Sequence, residues 1–159
     1  MSEGEKHISP TRAASMTRRG TKSSSLSVFH YSHRVTYAEC AIGNHIYYAR
    51  YLDLLEAARG EFFRYLGMTF LQWQERDTLF PVIEAHQSYL SPARYDDVLL
   101  IELWIKKAKG VRLTFAYRIT DQAGTTVLEA ETIHACTTIS GRPKRLPKEL
   151  MVHETVREG

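Results

Sequence analysis

The alternation of apolar and polar side chains is clearest late in the chain. Val111, Leu113, Phe115, Tyr117 and Ile119 alternate with Arg112, Thr114, Ala116, Arg118 and Thr120. Successive side chains of a strand point to opposite faces, so this run predicts a strand with one buried face. Val28–Tyr37 is aromatic and β-branched and predicts another strand. Leu79–Leu90, Val98–Ala108 and Thr126–Ile139 complete the set. Ser91-Pro92-Ala93-Arg94, Lys109-Gly110, Asp121-Gln122-Ala123-Gly124 and Gly141-Arg142-Pro143 mark the breaks.

A longer period occupies residues 46–66. Leu52, Leu55, Phe62 and Leu66 recur at helical spacing, with Arg50, Asp53 and Arg64 between them. Asn44 is placed to cap the start and Gly67 to stop the end. So many large apolar groups predict a helix covered on most sides. The order is strand, long helix, then four strands joined by three hairpin-like connections, which predicts an antiparallel sheet. The fold class is therefore α+β, a single domain over residues 28–150 whose antiparallel sheet wraps around one long central helix. Lys148–Gly159 reads as a frayed end, with residues 151–159 as a C-terminal tail.

Composition changes this picture little. The chain has 159 residues, 43% hydrophobic and 25% charged, a soluble globular mixture. Its net charge of +3 hints at a polyanionic partner. Residues 1–27 hold all of that excess, leaving 16 basic and 16 acidic side chains in the remainder. Nucleic-acid binding is therefore disfavoured. The first 27 residues read as a disordered basic tail, and Glu3 and Glu5 argue against a transit peptide. No apolar run is long enough for a membrane span, and no secretory signal opens the chain. Cys40 and Cys136 make neither a disulfide framework nor a zinc spacing, which favours a cytoplasmic setting and buried apolar roles.

Four segments then carry a resemblance. The first is Val35-Thr36-Tyr37-Ala38-Glu39-Cys40-Ala41-Ile42-Gly43-Asn44-His45-Ile46-Tyr47-Tyr48-Ala49-Arg50-Tyr51-Leu52, followed by Glu56-Ala57-Ala58-Arg59. The others are Pro92-Ala93-Arg94-Tyr95-Asp96-Asp97, Thr132-Ile133-His134-Ala135-Cys136 and Gly141-Arg142-Pro143-Lys144-Arg145-Leu146-Pro147. In this order they resemble the hotdog-fold acyl-CoA thioesterases, above all the 4-hydroxybenzoyl-CoA thioesterase-like and Tol–Pal-associated group. The resemblance implies hydrolysis of an acyl thioester of coenzyme A, or of acyl carrier protein, to free acid and thiol. Coenzyme A then enters as part of the substrate, and no separate cofactor or metal is called for. It also implies a homodimer joined edge to edge, often paired into a homotetramer, with active sites at the subunit interface.

One position departs from the family pattern. The family's usual catalytic aspartate is Ala41 here, and an alanine is neither base nor nucleophile. The chemistry still needs donors for the developing oxyanion, and the Tyr48 backbone N–H at the helix start matches the family's position. It also needs a base or nucleophile. Glu56 matches the family's helix glutamate, but it also suits an ion pair with Arg59 or a buried post near the dimer seam. Glu39 shares a face with Ala41 if the strand stays extended, or it is a solvated strand end. His45 is a base or a plain turn residue. Asn44 orients water or caps the helix. Arg142, Lys144 and Arg145 are candidates for the phosphates of coenzyme A, or a solvated loop. Lys106, Lys107 and Lys109 read as a solvated strand end. Loss of the aspartate also keeps open a non-hydrolytic protein that only binds acyl thioesters.

Overall fold

The computed structural model describes residues 28–155. The charge-rich segment 1–27 and residues 156–159 lie outside the described residues. Five strands form one antiparallel sheet: β1 (Phe29–Arg34), β4 (Val82–Tyr89), β5 (Val98–Lys109), β6 (Arg112–Thr120) and β7 (Thr126–Ala135), in the order β1-β5-β6-β7-β4. A two-stranded hairpin of β2 (Cys40–Ala41) and β3 (His45–Ile46) precedes the long helix α1 (Arg50–Tyr65). Two short helices complete the chain, α2 (Phe70–Glu75) and α3 (Lys148–Met151).

The α+β class and the antiparallel sheet agree with the sequence pattern, but one connection does not. Within the five-stranded sheet, β5–β6 and β6–β7 are the hairpins. β4 pairs with β7, and β5 takes β1 as its other neighbour. The segment between β4 and β5 therefore crosses from one side of the sheet to the other.

Helix α1 buries Tyr51, Leu54, Leu55, Ala58, Arg59, Phe62 and Phe63 on the inner face of the sheet. There the alternating residues Leu113, Phe115, Tyr117 and Ile119 of β6 are all buried. Phe62 meets Phe29 and Phe115 edge to face, each at 5.8 Å. Such contacts fix the helix on the sheet through ring geometry as well as buried area. Among the described residues only this face of α1 is covered, since Leu52, Asp53, Glu56 and Ala57 are exposed. That corrects the expectation of a helix covered on most sides.

Element boundaries moved wherever local hydrogen bonding overrode the pattern. β1 stops at Arg34 because Thr36 and Glu39 close a 3-10 turn over Tyr37–Glu39. α1 starts at Arg50, four residues later than the pattern suggests, because Ile46 is held in β3. α2 lies in the stretch after Gly67, where the sequence pattern indicates no helix; it is capped by Thr69, whose side chain accepts from the Gln72 amide at 3.2 Å. Residues 148–155 are not frayed, while 156–159 lie outside the described residues. Leu150 is fully buried, the Glu154 carboxylate accepts from the Ala108 amide at 3.0 Å, and Thr155 N–H donates to the Ile105 carbonyl. No helix among the described residues is long and apolar enough to cross a membrane.

Candidate active site

The approach to α1 is built by the β2–β3 hairpin and its supports. Gly43 and Asn44 turn this hairpin with φ of 95° and 55°, a left-handed region that favours Gly and Asn. The family-like segment after β4 braces the turn. The Arg94 guanidinium donates to the Gly43 and Asn44 carbonyls, both at 3.3 Å, and the Tyr95 amide donates to Asn44 Oδ1 at 3.2 Å. Ile46 N–H reaches the Ala93 carbonyl at 2.9 Å. Asn44 is therefore a loop anchor and not a helix cap, since α1 begins six residues later. His45 sits exposed beside Gly43, and its Nδ1 contacts the Ile46 carbonyl at 3.1 Å.

Tyr47 N–H donates to the Glu39 carbonyl and Arg50 N–H to the Tyr47 carbonyl. The Tyr48 N–H between them has no acceptor among the described residues. It is free for a ligand oxygen at the start of a sixteen-residue helix, where the backbone dipole favours negative charge. Tyr48 is itself exposed, touches Tyr47 and Tyr89, and its carbonyl accepts from the Tyr89 hydroxyl at 3.3 Å. Tyr89 also packs on Tyr51, so a ring of tyrosines surrounds the helix start.

The carboxylates divide sharply. Glu39 does not share the extended geometry of Ala41, because the 3-10 turn swings it back toward β1. Its Oε2 accepts from the Thr36 amide at 2.6 Å and the Thr36 hydroxyl at 2.8 Å, and His33 Nε2 lies 2.9 Å from Oε1. Burial pushes this carboxyl up, but the Thr36 amide, the His33 ring and the Thr36 hydroxyl outweigh that and hold it below the ordinary glutamate value. Such an anion is structurally engaged and weakly basic. Glu56 is the opposite case. It is exposed on α1 and has no ion pair or hydrogen bond among the described residues. The expected pair with Arg59 is absent, because Arg59 turns inward to the Tyr117 hydroxyl at 3.0 Å. Ala41, half-buried opposite His45, supplies no chemistry.

Arg59 opens a buried polar chain. Tyr117 and Thr132 hydroxyls lie 2.9 Å apart, Thr132 is 2.8 Å from His134 Nε2, and His134 Nδ1 is 2.8 Å from the Phe80 carbonyl. A carbonyl only accepts, so Nδ1 carries a proton, Nε2 accepts from Thr132, and Thr132 accepts from Tyr117. Burial pushes the His134 ring down to about 4. His134 is thus a hydrogen-bonded core residue. Cys136 is buried too, and its thiol is pushed up by that burial.

The basic residues are rearranged relative to expectation. Lys144 Nζ is spent on the Arg76 and Asp77 carbonyls, both at 3.0 Å, and on the Thr78 hydroxyl at 2.8 Å. It staples two loops together and offers no proton to a phosphate. The Arg142 side chain contacts Ser140 Oγ at 3.4 Å, and Arg145 is exposed. A denser cluster forms elsewhere. Lys106, Lys107, Lys109 and Arg112 line a cavity of about 450 Å³ on the outer face of the sheet, with Thr114, Glu131 and Ile133. A bulge between Ile105 and Lys107 puts Lys106 and Lys107 on the same face, which strict alternation forbids. Lys106 pairs with Glu131, while Lys107, Lys109 and Arg112 have no acidic partner among the described residues. Two adjacent lysines inside a strand were the available signal for this site.

Comparison with known proteins agrees with this architecture. An acyl-CoA thioester hydrolase, YbgC, from Escherichia coli O6:H1 is 30% identical over 126 residues, covering 79% of this chain and 94% of that protein. A hypothetical protein from Aquifex aeolicus superposes with a TM-score of 0.74 at 28% identity, covering 79% of this chain and 99% of that one. A probable thioesterase from Bartonella henselae gives 0.72 at 26% identity, with 76% and 100% covered. The family description that matches residues 35–153 takes in the braced hairpin, α1 and the whole run from β4 to β7, and by it this chain belongs to the thioesterase-like superfamily of hotdog-fold proteins.

Proposed function

We propose that this chain, a thioesterase by family, hydrolyses acyl-CoA thioesters with Tyr48 N–H as oxyanion donor and Glu56 as the carboxylate that replaces the missing aspartate. The observation that carries this is the contrast between the two glutamates. Glu39 is consumed by Thr36 and His33, whereas Glu56 is open and unpaired. Glu56 either attacks the thioester carbonyl or draws a proton from water, and both routes need an ionised, accessible carboxylate.

Distance adds a condition. Glu56 stands six residues beyond the first residue of α1, or about 9 Å along the axis at 1.5 Å per residue. A carbonyl held at Tyr48 is out of its reach within one protomer, so the reading places Tyr48 of one copy against Glu56 of another. The exposed edge strand β4 supports such an assembly. All but one of its eight residues are exposed, and its outer edge has no neighbouring strand in the sheet. Such an edge invites antiparallel pairing with a second copy. Dimer against tetramer, a cytoplasmic location and acyl carrier protein as an alternative carrier belong to the same proposal.

The unpaired cations Lys107, Lys109 and Arg112 are freer to bind the phosphates of coenzyme A than Lys144 is, and because they lie on the outer face of the sheet while Tyr48 meets the inner face, those phosphates belong to a substrate held at another copy's Tyr48. Charge reversal at Lys107 or Arg112 is expected to raise KM for acyl-CoA about tenfold, the equivalent of one charge-assisted contact, with kcat little changed. An unchanged KM moves the phosphates elsewhere.

Ala41 favours a second reading, an acyl-thioester binder without turnover. Thiol release from a panel of aliphatic and aromatic acyl-CoAs separates the two. Saturable release supports the enzyme, and binding by calorimetry without release supports the binder.

A further inference from the structure

Arg59 lies on the sheet-facing side of α1 at 8% exposure. Its guanidinium donates to the Tyr117 hydroxyl and meets no carboxylate among the described residues. A guanidinium withdrawn from water normally has an anion beside it, because an uncompensated buried charge is costly. The chain behind it supplies none. Burial pushes the Tyr117 phenol up, only partly offset by Arg59, so Tyr117 keeps its proton and Thr132 and His134 are neutral.

Beside this charge the inner face of the sheet is low. Tyr117, Ala130 and Gln87 stand in one cross-strand row, and Phe115, Thr132 and Ala85 in the next. Directly opposed residues share a face, so Gln87 and Tyr117 look onto the same space with only the Ala130 methyl between them. Gln87 Oε1 is buried there without a hydrogen-bond partner. A buried orphan acceptor on the same sheet face as an unneutralised cation marks a face short of an occupant. The same inner face continues along β4 to Tyr89, which touches Tyr48. Inner-face positions therefore link the Tyr48–Tyr89 contact, through Gln87 and Ala130, to the Tyr117 hydroxyl that Arg59 touches, and Arg59 lies nine residues, about 14 Å, along α1 from its first residue.

We propose that Arg59 and Gln87 form a subsite for a carboxylate at the far end of the acyl chain. The preferred substrates are then ω-carboxyacyl thioesters of medium length. The inference rests on the thioesterase reading for its substrate. Arg59 supplies charge-assisted donors to the carboxylate, and a half-turn of the Gln87 amide brings Nε2 onto its second oxygen.

The test compares adipoyl- and sebacoyl-CoA with hexanoyl- and decanoyl-CoA on the full chain. The expected wild-type result is a kcat/KM ratio of about tenfold or more in favour of the ω-carboxylated member of a pair. Arg59→Met collapses that ratio, Arg59→Lys keeps part of it, and Gln87→Leu, at a half-exposed position, lowers it without disturbing the core. A wild-type ratio near one, or a ratio unmoved by both Arg59→Met and Gln87→Leu, overturns the subsite. If no thioester is cleaved at all, the thioesterase reading fails by itself. Calorimetric binding of sebacoyl- against decanoyl-CoA then decides the subsite, equal affinities overturning it.

Discussion

Glu56→Gln lowers kcat for acyl-CoA hydrolysis by about 10²–10⁴-fold, the usual worth of a positioned acid–base group. The substitution is nearly isosteric, the side chain is exposed, and no hydrogen bond or ion pair among the described residues is lost, so the midpoint of urea unfolding stays constant. Glu39→Gln behaves differently. It removes an anion that ties the loop before β2 to Thr36 and His33, and it lowers the midpoint of urea unfolding more than kcat. Two further variants make the geometry testable. Tyr48→Pro deletes the N–H assigned to the oxyanion. If the site takes Tyr48 from one copy and Glu56 from another, mixed oligomers of the two inactive variants recover turnover. Ala41→Asp in the Glu56→Gln background asks whether the family's usual carboxylate position still faces the substrate. Wild-type kcat in Glu56→Gln rejects the assignment outright, and failure of the mixture to recover rejects the shared site.

Stability falls by about 3 kcal/mol as pH drops from near 6.5 to near 4, through His134 alone. The sign follows from which state binds the proton. In the unfolded chain the ring titrates at its ordinary value of 6.5, and in the native chain it is held down to about 4. Between those values the unfolded state takes up a proton that the native state refuses, so acid favours unfolding. Above 6.5 both states are neutral and the dependence disappears. Protonation also reverses the hydrogen-bond chain, since Nε2–H competes with the Thr132 hydroxyl for the role of donor. Glu39, held below its ordinary value, adds a loss in the same direction at lower pH still. Urea unfolding followed by tyrosine and tryptophan fluorescence at pH 7, 6 and 4.5 measures the slope. His134→Leu flattens it between pH 6.5 and 4.5. An equally steep slope in that variant assigns the acid sensitivity to other groups.

Much of the fold was legible because it depends on periodicity. The clean alternation of residues 111–120 reappears in β6, whose buried set Leu113, Phe115, Tyr117 and Ile119 is the predicted one. The helix pattern through Leu55 and Phe62 reappears in α1. Misplaced boundaries share one cause. Side chains competed with the backbone ladder, as Glu39 and Thr36 did at the end of β1 and Thr69 did at the start of α2. The crossing between β4 and β5 was illegible because strand order depends on which edges remain free, which spacing along a chain does not record.

At the site, the inventory was legible from the residues alone: an alanine where the family has aspartate, two spare glutamates, a tyrosine at the approach to the helix and a neutral region beyond residue 27. How those residues are used depended on the folded arrangement. It spent Glu39, Asn44 and Lys144 on loops, left Glu56 open, and used a bulge to gather Lys106 and Lys107 on one face. It also turned Arg59 away from Glu56 and buried it over Tyr117. A side chain's chemistry is set by what has already claimed its hydrogen bonds and its solvent. Those claims are made by partners brought close in space, such as Thr78 for Lys144 and Tyr95 for Asn44, at separations of 66 and 51 residues along the chain.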